Sequence, residues 1–352
     1  MSRFFLPHIQ RLVGYVPGEQ PRDPTGIIKL NTNENPYPPS PRVADAIRVA
    51  LNGRLRLYPD PVGTEFRLAA ARLHGVDPDM ILVGNGSDDL LTVLTRAFVG
   101  PEDVVVYPTP SYILYRTLAE IQNARPVMVP FEADWSLDPK GFGRPEAKLT
   151  FLANPNSPSG TALGLSEIRG IAERVRGPLV IDEAYVDFAT SNAIGLIADY
   201  PHLIVTRSLS KGYGLAGLRV GYLIAHPDVV RGLIKVKDSY NCDLLSLLGG
   251  AAALEDQDYL NETRTKILNT RQRLTVALRS QGFVLPESQA NFVWCQSGWS
   301  AVGTYEALKD RKILVRLMSY PNVPQGLRIT VGTDNEIDVL IQALQSLNQS
   351  HC

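Results

Sequence analysis

Residues 202–225 read HLIVTRSLSKGYGLAGLRVGYLIA. Two unbroken apolar runs, LIV and YLIA, flank a polar stretch that carries Ser208, Ser210, Lys211 and Arg219 in a glycine-rich setting. A short continuous apolar run closed by turn or polar residues reads as a strand buried on both faces. The same pattern recurs in MILVGNG (80–86), DVVVYP (103–108), LTFLANP (149–155) and PLVIDEAY (178–185), with segments long enough for helices between them. Buried strands alternating with helices predict an α/β fold whose sheet is mostly parallel and covered on both faces.

The helices carry their own signals. In SDDLLTVLTRAFVG (87–100), Ser87 is the expected N-cap, apolar residues recur at helical spacing, and Gly100 stands at the stop. In PPSPRVADAIRVALNG (38–53), Ser40 is the expected cap, Pro41 takes the first helical position and Gly53 follows the end. The pattern changes from about Ser246. Two long helical stretches precede the strand-like ANFVWCQ (290–296), KILVRL (312–317) and GLRITVG (326–332), and the final helix opens on Thr333 and Glu336 at capping-box spacing. This predicts a large domain over 30–245 and a smaller α+β domain made of 246–352 and the N-terminal arm, 1–29.

Composition narrows the function. A chain of 352 residues, 44% hydrophobic, can bury a large core. A formal net charge of -1 argues against nucleic acid or an anionic membrane as the partner. No apolar run approaches the roughly 20 residues needed to span a bilayer. The opening MSRFFLPHIQRLVGYVPGEQ lacks the apolar block and cleavage site of a secretory signal, so a cytoplasmic protein is expected. Cys242, Cys295 and Cys352 are too far apart for a Cys-x-x-Cys site, and the five histidines form no helical ligand pair, so no metal is expected.

In an open parallel sheet, ligands bind beyond the carboxyl ends of the strands. GNGSDD, YPTPSY, NPNSPSG, DEAY and SLSK all follow strand-like runs, so the five segments are expected to meet in one crevice. Gly84, Gly86, Ser87 and Asp88 lie at a strand-to-helix junction, where open N–H groups favour phosphate, although an ordinary capped helix reads the same way. Both nucleotide fingerprints fail here: Asp89 stands where a dinucleotide motif wants its third glycine, and no Gly-Lys-Ser/Thr follows. Asp182 ends a buried run and needs a partner; a helix cap, a metal and a cationic heterocycle all remain open. Tyr185 is placed to add a phenol. Lys211 either ends a strand in solvent or, desolvated among cations, serves as a nucleophilic amine. Arg219 offers a fork suited to phosphate. One cofactor needs a phosphate cradle, a lysine for its aldehyde, a carboxylate for its ring nitrogen and a phenol for its ring oxygen. That cofactor is pyridoxal 5'-phosphate.

GNGSDD, NPNSPSG, DEAY and SLSKGYGLAGLRVG, in this order and spacing, resemble the fold-type I aminotransferases. NTNENPYPPSP and LYPDP near the start, with GLRITVG near the end, resemble the histidinol-phosphate aminotransferase family within them. The resemblance spans nearly the whole chain. It implies a mostly parallel seven-stranded sheet between helices and a ping-pong transamination of L-histidinol phosphate with 2-oxoglutarate. Related activities are aromatic amino acid transamination and phosphothreonine decarboxylation; a non-catalytic metabolite sensor is the rival from another class.

The resemblance also implies roles. Lys211 would hold the cofactor as a Schiff base and then move the substrate proton, Asp182 would keep the ring nitrogen protonated, and Tyr185 would hydrogen-bond the ring oxygen. Gly86, Ser87, Asp88, Ser208, Ser210 and Arg219 would surround the cofactor phosphate, and Tyr112 would cover the ring face. Where the family commonly has Asn-Asn before the Pro-Thr-Gly turn, this chain has Asn156-Ser157-Pro158-Ser159-Gly160, so Asn156, Ser157 or a water must serve the ring oxygen. Tyr15, Glu34, Asn35, Arg316 and Arg328 would contact substrate. Tyr58 would reach the phosphate of a neighbouring subunit, which implies a homodimer with shared sites.

Overall fold

The computed structural model describes residues 4–14, 18–23, 25–321 and 323–349. The strands are β1 (Ile28–Lys29), β2 (Ile81–Gly84), β3 (Val104–Thr109), β4 (Arg125–Pro130), β5 (Ala147–Ala153), β6 (Leu179–Asp182), β7 (Leu203–Ser208), β8 (Gly221–Ile224), β9 (Phe292–Cys295), β10 (Ile313–Leu314), β11 (Arg316–Tyr320) and β12 (Val323–Thr330). The helices are α1 (Pro7–Arg11), α2 (Pro41–Ala50), α3 (Thr64–His74), α4 (Ser87–Phe98), α5 (Leu114–Ile121), α6 (Leu165–Ala172), α7 (Pro227–Ile234), α8 (Leu244–Leu254), α9 (Gln257–Ser280), α10 (Ala301–Asp310) and α11 (Asp334–Gln349).

The central sheet has seven strands in the order β2-β8-β7-β6-β5-β3-β4. Only β8 runs against its neighbours β2 and β7; the remaining pairs are parallel. Every residue of β2, β6, β7 and β8 is buried, which is why their sequences read as unbroken apolar runs. One core cluster, with Phe66, Leu152, Ile181 and Val205, covers one face, and a second, with Leu91, Tyr115, Phe151 and Val180, covers the other. Emptying such a position, as in Phe151→Ala, costs about 3–5 kcal/mol.

The edge strand β4 has no counterpart among the sequence-predicted strands. RPVMVP pairs only with β3, exposes Arg125, Met128 and Pro130, and carries two prolines that an edge tolerates because its outer N–H groups need no strand partner.

Beyond the sheet, β11-β12-β9 form an antiparallel sheet and β1 pairs in parallel with β10. Leu30, Leu274, Phe283, Val293, Ile329 and Leu340 share a third cluster there. The Thr333–Glu336 capping box forms, with Thr333 N–H donating to Glu336 at 2.8 Å and Glu336 N–H to Thr333 Oγ1 at 3.4 Å. Helix α8 packs elsewhere: Leu247, Ala251 and Leu254 belong to the first cluster, beside the central sheet. The expected division at 245/246 cuts through that packing, so we propose that the lobes divide within α9, whose Leu274 and Leu278 enter the third cluster.

The parallel arrangement brings the carboxyl ends of β2, β3, β5, β6 and β7 to one edge of the sheet. Because β8 runs the other way, it begins at that edge, which delivers Arg219, two residues before Gly221, to the same place.

Candidate functional site

A cavity of about 200 Å³ lies beyond those strand ends. All five loop segments contribute: Ser87 and Asp88, Tyr112, Ser157, Asp182 and Tyr185, and Ser208, Ser210 and Lys211. Arg219 joins from the start of β8, Arg316 and Arg328 close the cavity from β11 and β12, and Asn31, Thr32 and Asn33 close it from the segment after β1.

Lys211 is the lysine that lines this cavity. Its Nζ donates to the carbonyl of Thr32 at 3.2 Å and lies 5.9 Å from the centre of the Tyr185 ring. Burial lowers its pKa from 10.5 to about 8, and the Arg328 cation pushes the same way. The lysine turn is fixed from both sides. Asn35 Nδ2 donates to the carbonyls of Lys211 at 3.1 Å and Gly212 at 2.8 Å. At Gly212, a Cβ would fall 2.2 Å from the buried Asp187 carboxylate, so the close approach requires glycine.

Asp182 ends β6 as a buried carboxylate. Tyr115 donates to its Oδ2 at 2.8 Å and Thr206 to its Oδ1 at 3.1 Å. Burial nevertheless raises its pKa to about 6, because the two hydrogen bonds do not replace full hydration and the Asp88 charge opposes ionisation. A carboxylate in this condition is stabilised by a nearby cation. Tyr185 sits three residues on, its ring edge-on to Phe292 at 5.0 Å and its hydroxyl accepting from Asn33 Nδ2 at 3.0 Å. Burial raises the Tyr185 pKa, so the group remains a phenol at neutral pH.

At the other end lies a cradle for an anion. Gly86 replaces the expected Ser87 as the N-cap of α4, in a positive-φ conformation (φ 81°) that serine rarely adopts. Ser87 becomes the first helical residue, and the first-turn N–H groups lack intrahelical acceptors. A Cβ at Gly86 would lie 2.6 Å from Arg219 Nη2, so glycine also lets the guanidinium lie against the backbone. Arg219 Nη1 donates to Ser210 Oγ at 3.1 Å, and Ser210 N–H donates to Ser208 Oγ at 3.2 Å. The Asp88 carboxylate accepts from the Tyr112 hydroxyl at 3.3 Å and suits the first turn of a helix.

Arg316 and Arg328 are partners in register across the β11–β12 pair. Like charges directly opposite each other on a sheet destabilise it. Two guanidinium groups side by side draw an anion. Arg328 Nη1 donates to Ser157 Oγ at 3.0 Å and Nη2 to the Asn31 carbonyl at 3.2 Å, while its buried Nε has no hydrogen-bond partner among the described residues.

Several expected site residues stand elsewhere. Asn156 is buried and committed to its own turn: it accepts from Ser111 at 2.7 Å and donates to the Pro110 carbonyl at 3.1 Å and to Ser159 at 3.0 Å. Ser157 alone of that pair lines the cavity. Asn35 holds the lysine turn instead of lining the cavity, and Glu34 pairs with Lys29 and Thr32 outside it. Tyr58, expected at a neighbouring subunit's site and not at its own, is 80% exposed and stacked on Tyr240 at 4.4 Å. Tyr15 falls outside the described residues. Conversely, Asn33, Tyr115 and Thr206 touch the cavity's central groups but were not among the expected site residues; Asn33 stands inside the NTNENP segment, and each meets its partner through the tertiary fold. No helix among the described residues is long and apolar enough to cross a membrane.

Comparison with known proteins agrees with this geometry. The profile of the family described as aminotransferase class I and II matches residues 25–344. Histidinol-phosphate aminotransferase of Rhodopirellula baltica is 48% identical over 98% of this chain and 97% of its own length. Histidinol-phosphate aminotransferase 1 of a Nostoc species is 44% identical over 99% of both chains. The crystal structure of histidinol-phosphate aminotransferase from Sinorhizobium meliloti in complex with pyridoxal-5'-phosphate superposes with a TM-score of 0.89 at 31% identity, covering 100% of this chain and 99% of that one. This chain, with the fold-type I architecture, belongs to the class I and II aminotransferases and, within them, to the histidinol-phosphate aminotransferase family.

Proposed function

We propose that the protein transfers the amino group of L-histidinol phosphate to 2-oxoglutarate, giving imidazole acetol phosphate and L-glutamate, with pyridoxal 5'-phosphate as cofactor. The observation that carries this reading is the set of charges gathered in one cavity: an amine with depressed pKa, a buried carboxylate, an anion cradle and two arginines in register. The residues fit the cofactor. Lys211 would meet its aldehyde, Asp182 its ring nitrogen, Tyr185 and Ser157 its ring oxygen, and Tyr112 its ring face. Arg219, Ser208, Ser210 and the Gly86–Asp88 turn hold its phosphate. When bound, the cofactor supplies an electron sink for the carbon whose proton is removed.

The chain's own groups do the rest. Lys211, with a pKa of about 8, exchanges protons near neutral pH and is the base and acid at the substrate's reacting carbon. Asp182, as a carboxylate, would favour a proton on the ring nitrogen through charge. Arg316 and Arg328 bind the phosphate of one substrate and a carboxylate of the other, since a guanidinium fork reads both. We further propose a cytoplasmic homodimer in which the exposed Tyr58 enters the neighbouring subunit's site. The supporting features are its stacking on Tyr240 and the apolar surroundings of Leu57, Leu244 and Leu248.

The test is glutamate formation by purified, cofactor-loaded protein given L-histidinol phosphate and 2-oxoglutarate. A strong preference for phenylalanine or tyrosine, or release of carbon dioxide from phosphothreonine without 2-oxoglutarate, overturns the substrate assignment. The same substrates with the Lys211→Ala variant test the lysine: turnover at the parent rate overturns its role.

A further inference from the structure

Asn33 belongs to neither lobe's regular structure, yet it joins them. It is buried, with positive φ (59°), and every polar group it carries is engaged. Its N–H donates to Thr330 Oγ1 on β12 at 3.0 Å, and its carbonyl accepts from Asn291 Nδ2 just before β9 at 3.0 Å. Its side-chain Oδ1 accepts from the Thr330 hydroxyl at 3.1 Å, and its Nδ2 donates to the Tyr185 hydroxyl at 3.0 Å.

The direction of that last bond follows from proton counting. Thr330 is buried, and its Oγ1 already accepts the Asn33 N–H, so its own proton needs an acceptor. Asn33 Oδ1 provides it. With the amide turned over, the Thr330 proton would have no acceptor among the hydrogen bonds of the described residues, and a buried donor would be left unsatisfied. The amide NH₂ therefore faces Tyr185. A phenol has one proton to give, and its oxygen is already receiving one from Asn33, so the Tyr185 proton is turned away from Asn33 and toward the cavity.

We propose that Asn33 is a positioning residue that makes Tyr185 an obligate hydrogen-bond donor into the cavity, with Thr330 fixing the orientation of the Asn33 amide. The proposal rests on the reading that the cofactor's ring oxygen lies beside Tyr185. It assigns a task to the first asparagine of the NENP segment, and it makes the donor state of Tyr185 depend on β12, the strand that also carries Arg328.

The test is the pH titration of the visible absorption band of the cofactor-loaded protein, compared for the parent, Asn33→Asp, Tyr185→Phe and the double variant. Aspartate tolerates positive φ almost as well as asparagine and presents only acceptors to Tyr185. It draws the phenol's proton out of the cavity. Loss of that donor leaves the ring oxygen's charge to hold the neighbouring proton more firmly, so the midpoint rises. We expect a rise of about one pH unit, the scale of one charge-assisted hydrogen bond, and a rise less than half as large when Asn33→Asp is made in the Tyr185→Phe background. Equal rises in both backgrounds would mean that the new carboxylate acts only through its charge, and this outcome overturns the proposal, as does no rise at all. If Tyr185→Phe itself leaves the midpoint unchanged, the placement of the ring oxygen is wrong and the proposal falls with it. Thr330→Val gives a second route should Asn33→Asp fail to load cofactor. It frees the amide to turn, and a smaller rise that disappears in the Tyr185→Phe background is expected; a rise that persists there counts against the proposal.

Discussion

Replacing Lys211 with methionine should stabilise the cofactor-free protein, and the gain should fade as pH rises. The native environment lowers the lysine pKa from 10.5 to about 8, chiefly through burial and then through Arg328. Between those values the unfolded chain binds more protons at this site than the native one. Native stability therefore carries its full penalty below about pH 8 and recovers it as pH rises toward 10.5. The difference of about 2.5 pKa units, at 1.36 kcal/mol each, sets the penalty at about 3 kcal/mol at pH 7. By pH 9.5 the same linkage leaves about 1.4 kcal/mol. Methionine keeps the length and removes the charge, so the stability difference between variant and parent should shrink by about 2 kcal/mol between pH 7 and 9.5. Equilibrium urea unfolding of both cofactor-free proteins at the two pH values measures it. The absolute difference includes a pH-independent part from packing methionine, so the change with pH is the diagnostic quantity. A difference that stays constant would show that Lys211 titrates as an ordinary lysine, and the account of its reactivity would fail with it.

Two further outcomes follow from the geometry. Gly86→Ala places a Cβ 2.6 Å from Arg219 Nη2 at a position with φ 81°, so it should destabilise the protein by about 1–3 kcal/mol and raise the cofactor dissociation constant about tenfold or more; unchanged cofactor affinity, read by fluorescence titration, would remove Arg219 from the phosphate cradle. If Tyr58 serves the neighbouring site, Tyr58→Ala and Lys211→Ala proteins, each impaired alone, should regain activity when unfolded together and refolded. Each hybrid dimer then holds one site with both residues, and activity no greater than the sum of the separate proteins would place Tyr58 outside any shared site.

Legibility in the sequence divides along a physical line. Strands buried on both faces, such as LVID in β6 and LIVTRS in β7, announce themselves because every position must be apolar or paired. Edge strand β4 is hidden because half its surface is wet and its two prolines look like turns. Cavity-lining residues at the strand ends were legible as a group, since Asp182 and Ser208 end strands whose direction the fold dictates and Tyr185, Ser210 and Lys211 follow them. Within NPNSPSG the turn decides between neighbours, sending Asn156 inward to Ser111 and Pro110 and leaving Ser157 in the cavity wall. Groups that tune the site were not legible. Asn33 meets Tyr185 across 152 residues and Tyr115 meets Asp182 across 67, and no local periodicity encodes such pairings.

These observations converge on an electrostatic argument for a two-ended ligand. Asp182 is held near pKa 6 by burial and gains from a cation, whereas Lys211 is held near 8 by burial and gains from neutralisation or from an anion. Arg316 and Arg328 face each other in register, and such a pair of guanidinium groups draws an anion. Arg219, drawn to the cavity by the antiparallel β8, gains from an anion at the open end of α4. No single rearrangement of the chain satisfies all four, because each is fixed by a different strand. A ligand with a protonatable ring at one end and a phosphate at the other satisfies Asp182 and Arg219 together, and a bond to the Lys211 amine removes the cost of burying its charge. On the proposed reading, an anion drawn to the two arginines belongs to a different molecule, the substrate. Binding of the first ligand thus relieves the burial penalties at Asp182 and Lys211, and it appears as stabilisation by mass action. The cradle and the arginine pair are separate demands, so cofactor should stabilise the protein fully without substrate, and substrate anions should add to it.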